Sequence, residues 1–283
     1  MNKDKSNYVD APIAQKIPKK LSIHGDERID DYYWMRLTDK QKEAKASDKQ
    51  TKDVLSYLNA ENQYLKYKMK HTEPLQEKLF NEIKNRIKKD DSSVPVTINN
   101  YSYYTRFEKD KEYPFHCRKG LQKDAKEEIM LDVSKMAENY DYFAAVGLSV
   151  STNEKLLIYG VDTVSRREYT LYIKNLTSGK LLDDKISNTT GQGVWANDNK
   201  TFFYTKQDPI TLRSYQIYKH TLGTPQSEDV LVYEENDDTF SCYVSKSKSK
   251  TYIIIGSHQT LSSEYRFIEA SKPNEEFKVV QKR

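Results

Sequence analysis

This chain has little of several things that would point directly to a function. Only two cysteines, Cys117 and Cys242, occur in 283 residues. That excludes a disulfide scaffold, and two thiols alone cannot build a zinc site. The five histidines (His24, His71, His116, His220, His258) show no ligand spacing with them. Neither sign of charge dominates: 46 basic and 42 acidic residues are interspersed, for a net charge of +4. A nucleic-acid surface needs basic residues gathered on one face, and no such asymmetry exists. Long apolar runs are missing; the isoleucines at 253–255 are far too few to cross a bilayer. The opening MNKDKSNYVDAPIAQKIPKK is charged but has no apolar core, so it is not a secretory signal. A reducing, cytoplasmic setting is the expectation, with no membrane and no nucleic acid as partners.

Catalytic signatures are absent as well. None of the nine glycines sits in Gly-x-Ser-x-Gly, the strained strand-to-helix turn that exposes a hydrolase serine. No Gly-rich phosphate loop, HExxH helix or EF-hand loop occurs. Ser257 and His258 are adjacent in a probable strand, where neighbouring side chains point to opposite faces, so they make a poor dyad. Asp90-Asp91 and Asp237-Asp238 read as solvated loop carboxylates. The expectation is no catalytic residue, no metal and no cofactor within this chain.

What the sequence does have is tyrosine and repetition. Twenty-two tyrosines offset a hydrophobic content of 36%, and Tyr packs in a strand while its hydroxyl stays wet. The stretch at 147–172, GLSVSTNEKLLIYGVDTVSRREYTLY, returns twice. VSTNEKLLIY at 150–159 reappears as WANDNKTFFY at 195–204 and as SKSKSKTYII at 245–254. EYTLY at 168–172 answers to SYQIY at 214–218 and EYRFI at 264–268, and a blurred earlier copy runs through Tyr103, Tyr104 and residues 112–115. Short strands at a period of roughly 45–50 residues are the mark of β-propeller blades. Strands are expected at 101–107, 113–118 and 128–132 for a first blade. A second blade follows at about 140–184, a third at 193–233, and a fourth from 240 to the end. Turn residues fall between them, at Thr152-Asn153, Ser178-Gly179, Asn197-Asp198-Asn199 and Lys272-Pro273-Asn274.

Ahead of the strands the pattern differs. Residues 1–20 read as a flexible arm. Residues 21–91 read as an extended and helical segment, and 92–283 as an incomplete propeller, with the break at DDSSVP (90–95). Gly25 and nearby aspartates suit turns around an aromatic knot of Tyr32, Tyr33 and Trp34, which on physical grounds is an anchor that docks a loop onto a neighbouring domain. From Ser47 the chain is helical: Val54, Leu55, Leu58, Leu65 and Met69 share one stripe. A second helix starts near Thr72, a plausible N-cap, with Glu73 and Pro74 in its first turn. Leu75, Leu79, Ile83 and Ile87 then step by four, and the Lys/Arg run at its end suits the helix dipole.

The motifs HGDERIDDYYWMR (24–36), YLNAEN (57–62), HTEPLQEKLFNEI (71–83) and RIKKDDSSVP (86–95) resemble the N-terminal part of the prolyl oligopeptidase family of serine peptidases, in its oligopeptidase B (protease II) branch. So do KEYP (111–114), VDTVSRREYTL (161–171), DPITLR (208–213) and VYEENDDTF (232–240). Together they cover nearly all of residues 21–260. One departure is Asp31, where the family pattern usually has Pro before Tyr-Tyr-Trp; this frees φ without changing the fold. The resemblance implies a mainly β fold: about four blades of a seven-bladed propeller, preceded by a helical segment that packs on an α/β-hydrolase domain. It implies a cytosolic endopeptidase that cuts short peptides after Arg or Lys. The propeller caps and size-filters the site, while the catalytic Ser, Asp and His lie outside this sequence. On that view Tyr32, Tyr33 and Trp34 dock on the hydrolase domain of the same protein, and the chain alone is inactive.

Arg166, Arg167 and Glu168 read either as a charged hairpin of the second blade or as an interdomain contact that helps close the site. The alternative for the whole chain is a stand-alone propeller that binds or regulates without catalysis. In an open arc of blades, faces around Phe203, Ile253, Ile254 and Ile255 are expected to be exposed and adhesive.

Overall fold

The structure, a computed structural model, describes residues 9–283 and divides into two units that meet between Lys88 and Lys89. In the first unit, strands β1 (Lys19–Ile23) and β2 (Asp26–Asp30) form a hairpin. Its two turn residues, His24 and Gly25, both take positive φ, 52° and 82°, as a turn matched to strand twist requires. Of the segment expected as an arm, residues 1–8 lie outside the described residues. The rest is tied down from Gln15 onward: the Trp34 indole donates to the Gln15 carbonyl at 2.8 Å, and Ile17 N donates to Asp31 O at 2.8 Å.

Helix α1 (Asp39–Glu43) starts at a full capping box between Thr38 and Gln41. Helix α2 (Lys49–Met69) is capped by Asp48, whose carboxylate accepts from Thr51 N at 2.7 Å. A single 3-10 turn, Lys70–Thr72, leads to α3 (Glu73–Arg86). Thr72 stands at the start of α3 but does not cap it. The chain arrives already helical (φ −91°, ψ −11°), so the hydroxyl turns back and donates to Met69 O at 2.6 Å. The expected apolar stripes exist, yet among them only Val54 is buried. Leu55, Leu58, Leu65 and Met69 on α2, and Leu75, Leu79 and Ile83 on α3, are exposed, as is Ile87 just past its end.

The second unit is a succession of antiparallel blades. In the first, β3 (Asp91–Ser92) and β4 (Val96–Ile98) share one edge of β5 (Tyr101–Phe107), followed by β6 (Phe115–Gly120) and β7 (Glu127–Asp132). The second strand of this blade starts after Pro114 rather than at 113, because Pro has no N–H for the ladder. A short helix, α4 (Val133–Ala137), leads to β8 (Ala144–Val150), β9 (Leu156–Asp162), β10 (Tyr169–Asn175) and β11 (Leu181–Trp195). The third blade adds β12 (Thr201–Gln207), β13 (Ser214–Thr221) and β14 (Val230–Glu234). The fourth holds β15 (Ser241–Lys246), β16 (Tyr252–His258), β17 (Ser263–Glu269) and β18 (Lys278–Gln281).

The second and third blades have no gap between them, in contrast to the break expected at 184–193. β11 is both the outer strand of the second blade and the inner strand of the third, giving one seven-stranded sheet from β8 to β14. Its pairing with β12 shifts register between Thr189 and Gly193, and Gly191 there takes φ +86°. This crossing brings backbones too close for side chains. A Cβ on Gly160 would lie 2.5 Å from Gly191 Cα, and one on Gly147 would lie 2.0 Å from Gly191 O.

Three core clusters fill the spaces between the four blades, and the two-residue strand period explains how. Leu157 and Tyr159 face Met130, Leu131 and Phe143 of the preceding segment, while Ile158 between them faces Trp195, Phe202 and Tyr204. Phe203 in turn joins Ile217, Val244, Ile253 and Ile255 between the third and fourth blades. The expectation of adhesive surface at Phe203, Ile253 and Ile255 is therefore wrong: they are fully buried, and Ile254 is half-buried. Alternate residues of β16 point inward. What the fourth blade exposes on its other face is tyrosine, at Tyr243, Tyr252 and Tyr265.

Candidate functional site

The hairpins between second and third strands emerge at one end of the blades, and the turns between first and second strands at the other. In the second blade Asp162, fully buried, ends β9 and organises the hairpin. Its carboxylate accepts from Val164 N at 2.8 Å, Arg166 N at 3.0 Å and Arg167 N at 2.8 Å. Ser165 and Arg167 take positive φ to complete the turn. Arg166, Arg167 and Glu168 are thus presented outward on a rigid frame, and Gln207 of β12 secures that frame through the Arg167 carbonyl at 2.7 Å.

The third blade repeats the device. Asp208 accepts from Ile210 N and Thr211 N at 3.0 and 2.7 Å. Those bonds, with the Thr211 hydroxyl, hold its carboxyl below the usual range. In the fourth blade Gln259 plays this part toward Leu261 N at 3.1 Å. Each hairpin tip carries one bare apolar side chain: Val164, Ile210 and Leu261, the last two about nine-tenths exposed at 90% and 92%.

Arg213, at the base of the third-blade hairpin, donates to the carbonyls of Phe240 at 2.8 Å and Asp237 at 3.2 Å, which fixes the loop into the fourth blade. Glu235, at 2% exposure, anchors that loop from beneath. Arg283 grips it through two bonds of 2.8 and 2.9 Å, Tyr233 OH donates to it at 2.7 Å, and the Ser257 hydroxyl also donates to it. The Arg283 guanidinium, ahead of the other donors, holds the Glu235 carboxyl far below its ordinary range. Ser257 is thereby committed to Glu235, while His258 lies exposed edge-on to Tyr243. The two form no dyad. Burial pushes the thiols of Cys117 and Cys242 up to about 11 and about 12, so neither is a thiolate at neutral pH.

Another buried cluster joins the outer parts of the second and third blades. His220, wholly buried, lies between Asp229 (Nδ1 to Oδ1, 2.5 Å) and Asp184 (Nε2 to Oδ1, 3.0 Å), and Tyr204 OH donates to Asp229 at 2.7 Å. Burial alone would lower the imidazole's pKa, but the two carboxylates outweigh it and the pKa is raised. Sequence reading missed this cluster, because its members come from separate strands with no motif spacing.

At the opposite end, the inner strands of all four blades line an open pocket of about 740 Å³. Val96, Ile98, Leu148, Val150 and Trp195 give it apolar walls, and Lys246 and Lys250 stand at its rim. Lys246 Nζ donates to Asn197 Oδ1 at 2.6 Å and Trp195 O at 2.9 Å, and Lys250 Nζ donates to Asn99 Oδ1 at 2.8 Å.

In the first unit, Trp34 and Tyr33 are half-buried, with Lys19 Nζ 3.6 Å over the Tyr33 ring, while Tyr32 is exposed. The aromatic knot is thus partly used up within its own unit. Among the described residues no group of three or more His, Cys, Asp or Glu is placed to hold a metal, and no helix is long and apolar enough to cross a membrane.

Residues 12–283 match the family model described as prolyl oligopeptidase, N-terminal β-propeller domain. The chain belongs to that family. Dipeptidyl aminopeptidase BI of Pseudoxanthomonas mexicana is 40% identical over 276 residues, which is 92% of this chain and 37% of the relative. Protease 2 of Moraxella lacunata is 33% identical over 279 residues, 96% of this chain and 39% of the relative. Oligopeptidase B from Leishmania major superposes with a TM-score of 0.82 at 28% identity, over 97% of this chain and 40% of that structure. The motifs that resemble the oligopeptidase B branch therefore have their structural counterpart there. The chain spans about 40% of the length of these prolyl oligopeptidase relatives and corresponds to their N-terminal, propeller-bearing part.

Proposed function

We propose that this chain is the propeller-bearing portion of an oligopeptidase B-like serine endopeptidase that cuts short peptides after Arg or Lys in the cytoplasm. It supplies no catalytic serine, aspartate or histidine; its blades cap the site and admit only short chains. The observation that carries this reading is the match to oligopeptidase B over nearly the whole chain. The exposed apolar stripe of α2 and α3, with Tyr32, is then the surface covered by the hydrolase domain of the same protein. Arg166, Arg167 and Glu168, held outward by Asp162, meet that domain's charged groups and favour the closed state. Free, buried cysteines suit a reducing compartment.

A second reading, release of dipeptides from a free N-terminus, draws on the name of the relative that is 40% identical. A chimera in which this chain replaces the matching stretch of Protease 2 from Moraxella lacunata separates the two. The proposal expects hydrolysis of an N-blocked arginyl anilide. A folded chimera that cleaves only dipeptidyl anilides with a free amino group would overturn it.

A further inference from the structure

The axial cavity has a feature that neither the fold nor the capping role uses. Its walls are apolar, with Val96 and Ile98 of β4 exposed at 59% and 42%. Three lysines line it, Lys246, Lys248 and Lys250, and one side chain ties the Lys246 ammonium to the main chain at Lys250. Asn197 accepts from Lys246 Nζ through Oδ1 at 2.6 Å and donates through Nδ2 to the Lys250 carbonyl at 3.2 Å. The hydrogen-bond partners of the Lys246 and Lys250 amines are neutral: a main-chain carbonyl, a threonine hydroxyl at 3.4 Å and two asparagine amides. Among the described residues neither lysine forms an ion pair with a carboxylate within 4.0 Å. Glu154, on the same rim, is taken up by Asn100 at 2.8 Å. Two neighbouring cations without a paired anion at the mouth of an apolar hole leave an electrostatic deficit that an anion would fill. Burial and the nearby Lys250 charge both disfavour the charged form of Lys246, against a smaller pull from Asp198.

We propose that this cavity binds an organic carboxylate, its apolar body on the inner strands and its carboxylate received between Lys246 and Lys250. Size agrees, since ligand cavities of about 300–1,000 Å³ hold small molecules or a few residues of peptide. The C-terminus of a peptide and a free aryl or alkyl acid share this chemistry. The site needs no catalytic group and lies at the blade end opposite Arg166, so it stands or falls independently of the peptidase reading.

The test titrates the full 283-residue chain by calorimetry with two acids and their neutral twins. These are 4-phenylbutyrate against 4-phenylbutanamide, and N-acetyl-Phe-Leu against its C-terminal amide. The expected result is saturable binding of at least one acid, weaker by about tenfold or more for its amide, as loss of a charge-assisted hydrogen bond implies. Binding of the peptide acid alone assigns the ligand as a peptide C-terminus; binding of both acids shows that any apolar acid suffices. Lys250→Met, at a half-buried turn position that keeps its main-chain bond to Asn197, should weaken acid binding by a similar factor with an unchanged circular dichroism spectrum. Lys246→Met should do the same if it folds. Equal binding of acids and amides, no binding of either acid, or an unaltered affinity in folded Lys250→Met overturns the proposal.

Discussion

Replacing Gly160 with alanine tests the β11 crossing on which the joint between the second and third blades depends. Gly160 sits in β9, opposite Leu171 of β10 and Val146 of β8. The new methyl would lie 2.5 Å from Gly191 Cα and 2.6 Å from Gly191 O. Normal contact needs roughly another ångström, so a backbone must move. β11 is poorly placed to withdraw. Thr189 Oγ1 donates to Tyr169 O and accepts from Gly191 N, both at 3.0 Å, and pairing with β12 resumes at Gly193. Overpacking costs about 1–3 kcal/mol, and one or two lost hydrogen bonds add about 1 kcal/mol each. Reduced freedom of the unfolded chain returns about 0.5–1 kcal/mol. The net expectation is a loss of about 1–4.5 kcal/mol, at its upper end a large share of the ~5–15 kcal/mol that holds a typical domain.

The assay is urea unfolding followed by Trp195 fluorescence in a Trp34→Phe background, which leaves the buried Trp195 as the only indole. Gly179→Ala is the control. Gly179, unlike Gly160, has positive φ, +72°, and a Cβ there meets nothing within 4 Å, so only left-handed strain of about 1–2 kcal/mol applies. If Gly160→Ala were no more destabilised than Gly179→Ala, the steric reasoning would be refuted.

Other outcomes follow from the buried polar clusters and the hairpin face. His220 has a raised pKa between Asp184 and Asp229, so its contribution is complete below the unfolded value of about 6.5 and fades as pH rises through the folded value. The urea midpoint should therefore fall as pH rises above about 6.5, and His220→Gln should flatten that slope; parallel profiles would count against the cluster. Glu235→Gln leaves the Arg283 guanidinium half-matched and should destabilise the second unit by about 2–4 kcal/mol. It should also speed hydrogen exchange at Asp237 and Thr239, and unchanged protection there would contradict the anchoring role. Arg166→Glu with Arg167→Glu, on exposed side chains, should shift stability by less than about 0.5 kcal/mol. In the Protease 2 chimera the same pair should lower kcat/KM, and an unaffected rate would remove these residues from domain closure.

The blades were legible because each strand packs on both sides: KLLIYG reads apolar at Leu157, Ile158 and Tyr159 since alternate residues enter different cores. The hairpin aspartates Asp162 and Asp208 were legible as motif letters, though not as the residues that shape the turns. Helix α1 carried its signal in Thr38 and Gln41, but five residues give too little periodicity to read. The β11 crossing was hidden because Thr189 to Gly193 looks like a loop, and only the approach of three backbones requires Gly147, Gly160 and Gly191. The buried networks around Glu235 and His220 were illegible for a different reason. Their partners are joined by strand register and interblade packing, neither of which leaves a fixed spacing. The exposed helical stripe was read correctly as a pattern, while its openness became visible only in three dimensions.

The central claim, that these blades form a size filter over a peptidase site, is tested most directly by one comparison of rates in the Protease 2 chimera. The measurement is kcat/KM for a short peptide containing one arginine against that for the same sequence within a surface loop of a folded protein. The account predicts cleavage of the short peptide and discrimination against the folded substrate by about a thousandfold or more, roughly 4 kcal/mol in transition-state terms. Comparable rates on both substrates, in a chimera that is folded and active, would contradict it.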